Sequence, residues 1–167
     1  PYSLVLFSRE KVDSRDLAGI YNVADCTINI SDAEGFGLST LESLSCGTPI
    51  LVTMTGGLRD QVTDGETWFG VGIEPCSKAI IGSQTVPYIY EDRISQVDFN
   101  TVLKKALKWK SKAYQKMSRQ GIKHVRENYN FEGYENQWIE LMDKIVKKHG
   151  SWETRKGYKR WHLLEVA

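Results

Sequence analysis

The sequence predicts an α/β fold: a parallel sheet with helices on both faces, followed by C-terminal helices. Two observations predict it. Short apolar, β-branched runs alternate with segments of helical period through the first half of the chain, and the links between them are short, an order that builds a parallel sheet. One of those runs, "ILVT" (Ile50–Thr53), is continuous rather than alternating, as in a strand buried on both faces.

Taken in order, "SLVLFS" reads as a first strand. In "VDSRDLAGIYNVAD", Asp13 or Ser14 caps a helix, and Asp16 sits in its first turn, where the dipole favours an acid. Leu17, Ile20, Tyr21 and Ala24 recur at helical spacing and make one face apolar. "CTINI" (Cys26–Ile30) is short, β-branched and bounded by Asp25 and Ser31, a second strand. The loop "SDAEGFG" then feeds a helix, "LSTLESLSC", which Gly47 stops and Pro49 keeps stopped. After the Ile50–Thr53 strand come the glycine turn "MTGGL", a short helical piece from Arg59 to Val62, and a turn and strand in "DGETWFGVGI". Residues 74–97 contain two prolines and no clear period, and read as a long ordered excursion. Beyond them, three segments have helical spacing; in the last, Tyr134, Trp138, Leu141, Met142 and Ile145 form a stripe that reads as core.

The 167 residues are 41% hydrophobic and 26% charged, enough for one good core, and 22 basic residues nearly balance 21 acidic ones. That balance points away from nucleic acid as a partner. No apolar run approaches a signal or a membrane span, so the chain reads as cytoplasmic. Cys26, Cys46 and Cys76 lack metal or redox spacing and read as reduced structural thiols; His124, His149 and His162 lack ligand spacing, and no metal site is expected. With no initiator Met and a strand already under way at the start, the chain reads as a piece of a larger protein.

The chemistry concentrates in "SDAEGFGLSTLESLSCGTPIL" (Ser31–Leu51). Ligands of an open parallel sheet sit at the carboxyl ends of its strands, where this loop leaves one strand and starts a helix. The amides of Gly37, Leu38 and Ser39 are then helix-start donors aimed at an anion, phosphate above all, and the glycines at 35 and 37 let backbone approach it. Glu34 and Glu42, with seven residues between them, would repel a phosphate but suit hydroxyls on its two sides, as in a nucleotide sugar. Plain structural roles stay open: Glu34 as a capping acid, Glu42 as an exposed helix residue. A dinucleotide site fits poorly, because "GFGLST" lacks the third glycine and does not turn directly off the strand.

In order and at matching spacing, "Y..AD", "EGFGL", "LES", "CGTP", "GGLRD" and "DG" resemble the C-terminal, Rossmann-like domain of GT-B fold glycosyltransferases, in particular the retaining family four (glycosyl transferases group 1). "NYNFEGYENQWIELM" is similar to that family's final helix, so the resemblance covers roughly residues 4 to 147. It implies a donor-binding domain over residues 1–150, a tail or crossover helix over 151–167, and an N-terminal acceptor domain of the same protein outside this chain. It implies Glu34 as the catalytic, sugar-orienting acid, with Gly35, Phe36 and Gly37 beside the donor sugar. It implies Gly37, Leu38 and Ser39 on the diphosphate, Glu42 on the ribose, and Lys11 and Val12 at the base. The implied reaction is transfer of a hexose from GDP-mannose or a UDP-hexose, with retention, to a glycan, lipid or small-molecule acceptor, without a required cofactor. A homo-oligomer, and peripheral membrane attachment through the missing domain, are compatible with it. Asp32, Ala33 and Asp60 depart from the family pattern, and the upstream Arg and Lys that would neutralise the diphosphate are not in view. The competing readings are a non-catalytic nucleotide-binding module acting in assembly, and another GT-B enzyme, an epimerase or phosphorylase; the Glu pair argues against the last two.

Overall fold

A computed structural model describes residues 5–156. The chain divides into two compact units, Pro1–Arg126 and Glu127–Ala167. In the first, three parallel strands, β1 (Thr27–Asn29), β2 (Ile50–Thr53) and β3 (Gly70–Ile73), form a sheet in that order. The register pairs Ile28 with Leu51 and Leu51 with Val71. All four residues of β2 are buried, as the continuous run predicts for a central strand. Alternation sends Leu51 to one face and Ile50 and Val52 to the other. Leu51 joins Val71, Ile73 and Ala106 in a core that Phe99, Val102 and Leu103 close.

Helices α1 (Ser14–Val23), α2 (Leu38–Ser45), α3 (Leu58–Val62) and α4 (Gln96–Ala106) surround this sheet; α2 and α3 pack on β2, and α4 on β3. Asp13 is the cap of α1, its carboxylate accepting from the amides of Arg15 and Asp16. "CGTP" closes α2 with two backbone bonds: Thr48 N–H reaches Ser43 O, and Gly47 N–H reaches Leu44 O. This is a Schellman end, in which the residue after the cap turns left-handed, as Gly47 does at φ +83°. Thr48 Oγ1 then donates to Tyr21 O (2.6 Å), tying the end of α2 to the end of α1.

Three expectations need correction. "SLVLFS" forms no strand among the described residues: Val5, Leu6 and Phe7 are exposed, and no described strand pairs with them to satisfy a ladder. The excursion of residues 74–97 holds an antiparallel hairpin, β4 (Ser77–Ile80) with β5 (Tyr90–Arg93). It has no fully buried residue, so its strands lack the alternation that would reveal them. The third correction lies in the C-terminal helices. α5 (Ser111–Asn128) and α6 (Phe131–His149) form as the periodicity predicts. Yet Tyr134, Trp138, Leu141, Met142 and Ile145 on α6 are exposed rather than core, because the regular structure described in its unit beside α6 is only the last two residues of α5. Of the tail, residues 151–156 hold no helix or strand, with bends at 152–154 and 156, and 157–167 lie outside the described residues.

Candidate functional site

The Ser31–Gly37 loop is built at the carboxyl end of β1. Asn29 Oδ1 accepts from both the amide (3.0 Å) and the hydroxyl (2.7 Å) of Ser31, turning the chain off the strand. The turn after β2 then supports the loop from the neighbouring strand end. A Cβ on Gly56 would stand 1.7 Å from Glu34 O, so only glycine lets these backbones meet. Gly57 N–H donates to Gly35 O (3.3 Å), and Gln61 Nε2 donates to Phe36 O (2.6 Å).

Gly37 is the residue on which the loop becomes a helix. Its φ is +86°, and a Cβ there would meet Leu58 Cδ2 at 2.6 Å. It occupies the cap position of α2 and brings no side chain, so the amides of Leu38, Ser39 and Thr40 have no acceptor among the described residues. Beneath them, Thr40 Oγ1 lies 2.8 Å from Gly37 O and 2.6 Å from Gln61 Oε1, its single proton shared between two acceptors. Thr40 and Gln61 are fully buried, which gives the donor cluster a rigid floor.

Glu34 is half-buried in the loop, while Gly35, Phe36, Leu38 and Ser39 are exposed and Gly37 is buried. These predicted residues are brought together in one continuous turn. Glu42 stands one turn along α2 and lines a different space, a cavity of about 190 Å³ with Ser14, Leu17, Tyr21 and Cys46 that Glu34 does not reach. There Tyr21 Oη donates to Glu42 Oε2 (3.0 Å). Burial, and then the Glu42 carboxylate, push the Tyr21 phenol up to about 12. Lys11 is exposed and Val12 half-buried, immediately ahead of the Asp13 cap and of Ser14, which lines the same cavity. Glu42 thus faces this cavity, and Glu34 does not line it.

The sequence reading missed several residues that shape this site. Tyr21 was visible as an apolar-face residue and as the Tyr of "Y..AD", but not as a partner of Glu42. Gln61 was hidden behind Asp60, whose own contribution is a carbonyl facing His124 Nε2 (3.1 Å); His124 also stacks on Phe69 at 4.3 Å. Arg93 lies in the hairpin that had no readable period; its guanidinium reaches Asp32 Oδ2 at 3.0 Å. Among the described residues no group of three His, Cys, Asp or Glu could hold a metal, and no helix is long and apolar enough to cross a membrane.

Comparison with known proteins bears on this arrangement. The family model described as glycosyl transferases group 1 matches residues 7–116. A D-inositol 3-phosphate glycosyltransferase of Arthrobacter sp. (strain FB24) is 34% identical over 87 residues, covering 52% of this chain and 20% of that protein. Its namesake in Streptosporangium roseum is 50% identical over 50 residues, 30% of this chain and 12% of that protein. The chain therefore spans a fifth or less of these two relatives' length. Among solved structures, sucrose-phosphate synthase from Thermosynechococcus elongatus superposes with a TM-score of 0.57 at 22% identity, over 83% of this chain and 29% of that one. That likeness carries the fold.

Proposed function

The chain belongs to the glycosyl transferases group 1, and from that premise we propose that it is the C-terminal, donor-binding domain of a retaining hexosyltransferase of family four. The donor is a nucleoside diphosphate hexose, GDP-mannose or a UDP-hexose, and the acceptor is met by an N-terminal domain of the same protein.

One observation carries this reading: a side-chain-free cap at Gly37 leaves the first amides of α2 open at the end of the loop that carries Glu34, while Glu42 lines a separate cavity one turn along the helix. Gly37, Leu38 and Ser39 hold the diphosphate, where the helix dipole also favours negative charge. Glu34 accepts hydroxyls of the hexose against Gly35 and Phe36. Glu42, oriented by Tyr21, takes the ribose hydroxyls, and the chain at Lys11 and Val12 meets the base. As the bond from the anomeric carbon to the diphosphate oxygen breaks, positive charge grows on the sugar and negative charge on the leaving phosphate. The α2 amides stabilise the second charge without reorganising, and Glu34 stands by the first. No metal is assigned a part in this scheme.

A thermal-shift panel of UDP-, GDP- and ADP-sugars on the full-length protein tests the binding half; the right donor stabilises by mass action and stands out from the others. Glu34→Ala tests the chemical half and is expected to lower turnover by about 10²-fold or more. No stabilisation by any nucleotide sugar, together with wild-type turnover of the variant, would sink the assignment.

A further inference from the structure

We propose that Arg93 is a positioning residue for the donor loop: through it, the β4–β5 hairpin grips the loop at Asp32 and sets where Glu34 stands. The functional meaning rests on the reading of Glu34 as the donor-sugar acid.

Two consecutive residues of β5 hold Asp32 at two points. Arg93 Nη1 lies 3.0 Å from Asp32 Oδ2, and Asp92 N–H donates to Asp32 O at 2.8 Å. The other arm of the guanidinium, Nη2, is 2.8 Å from Glu91 Oε2, so one planar fork spans two carboxylates. Arg93 is itself fixed at its backbone, where its carbonyl accepts Cys76 N–H (2.8 Å) at the base of the hairpin. Downstream, Glu34 O and Gly35 O rest on Gly56 and Gly57. The loop is therefore stretched between two supports, the hairpin at Asp32 and the glycine turn from Glu34 on, with only Ala33 between them.

The two supports act differently. Gly37, the α2 amides and Glu42 lie beyond the glycine turn, so losing the Asp32 support leaves the nucleotide half in place and moves the sugar half. The ion pair is also partly exposed, with side-chain exposures of 35% for Arg93 and 48% for Asp32. Pairs of that kind contribute little to global stability. The clamp thus predicts a change in turnover that is uncoupled from both folding and nucleotide affinity.

The experiment compares Arg93→Ala, Arg93→Lys and Asp32→Asn in the full-length protein. Arg93→Ala is expected to lower kcat about tenfold, because small misplacements of a catalytic group are costly. Its Kd for the free nucleoside diphosphate stays within about twofold, and its unfolding midpoint stays near wild type. Arg93→Lys recovers part of kcat, keeping the charge on Asp32 while losing the second arm. Asp32→Asn added to Arg93→Ala lowers kcat little further, since both act through one contact. Wild-type kcat in Arg93→Ala, or a loss of kcat matched by lost nucleotide affinity or lost stability, would overturn the proposal. Amide hydrogen exchange needs no ligand and separates the two readings. Faster exchange of the Asp92 amide, which donates to Asp32 O, and of the Gly57 amide, which donates to Gly35 O, in Arg93→Ala supports the clamp even if no nucleotide sugar binds the wild type, in which case the functional reading is the one that fails. Unchanged exchange overturns the clamp whatever the activity.

Discussion

Gln61 shows how much one side chain can organise. It lies in the five-residue helix α3, is fully buried, and makes a hydrogen bond at each end of its amide, to Phe36 O and from Thr40 Oγ1. A leucine of similar size would fill the space but leave Phe36 O without this donor, inside low-dielectric surroundings. Gln61→Leu is expected to lower unfolding free energy by about 1–3 kcal/mol, read from urea titrations with an unchanged m-value. Thr40 is spared most of the loss, because Gly37 O remains as its acceptor. Sequence reasoning passed over Gln61 because its two partners lie 21 and 25 residues away, and only the folded sheet brings them together. Glu34 and Glu42 could be singled out because the loop that carries them is local: glycines, a helix start and two acids within one short stretch.

At the scale of elements, the turn between β2 and α3 decides the shape of the loop after β1. Gly56 has φ +46°, and any Cβ there would run into the Glu34 carbonyl at 1.7 Å. Gly56→Ala is expected to cost about 2–4 kcal/mol, from backbone strain plus the forced separation of the two turns. Gly35→Ala, where a Cβ meets nothing within 4 Å, should stay within about 0.5 kcal/mol. Equal effects of the two substitutions on the urea midpoint would show that the turns do not bear on each other. Elements legible in the sequence were those with buried faces or firm punctuation: β2 by its unbroken apolar run, α2 by Gly47 and Pro49, α1 by its Asp13 cap. The hairpin was illegible because ladder bonds and ion pairs hold it rather than a buried face. "SLVLFS" misled in the opposite sense, since an apolar run is a strand only where a neighbour completes its hydrogen bonds.

For the whole molecule, alkaline pH is the condition that bears on several parts at once. Burial pushes the Cys26 thiol from 9.0 up to about 11, and the Tyr21 phenol reaches about 12 from 10.0; Tyr114 is also raised, again chiefly by burial. In each case the folded protein holds its proton more tightly than the unfolded chain. The stabilisation is therefore complete below the unfolded value and is lost as pH rises through the folded one. The urea midpoint should hold to about pH 9 and then fall, first through Cys26 and above about pH 10 through Tyr21 as well. Cys26→Ala should delay the onset to about pH 10; an onset unchanged by that substitution would remove Cys26 from the account. The α/β architecture at this scale was legible from the order of its segments. The division near Arg126 was not, because the helical period of α5 runs through it unbroken.

The support beneath the Glu34–Phe36 loop meets that loop at its backbone alone. Gly56 meets the carbonyl of Glu34, Gly57 that of Gly35 and Gln61 that of Phe36, and none of these three contacts takes a side chain of the loop. The loop is in this sense a socket whose fittings can be exchanged. Descent with variation could replace Gly35 and Phe36 without rebuilding the platform, so that on the proposed reading new sugar preferences arise while Glu34 keeps its post.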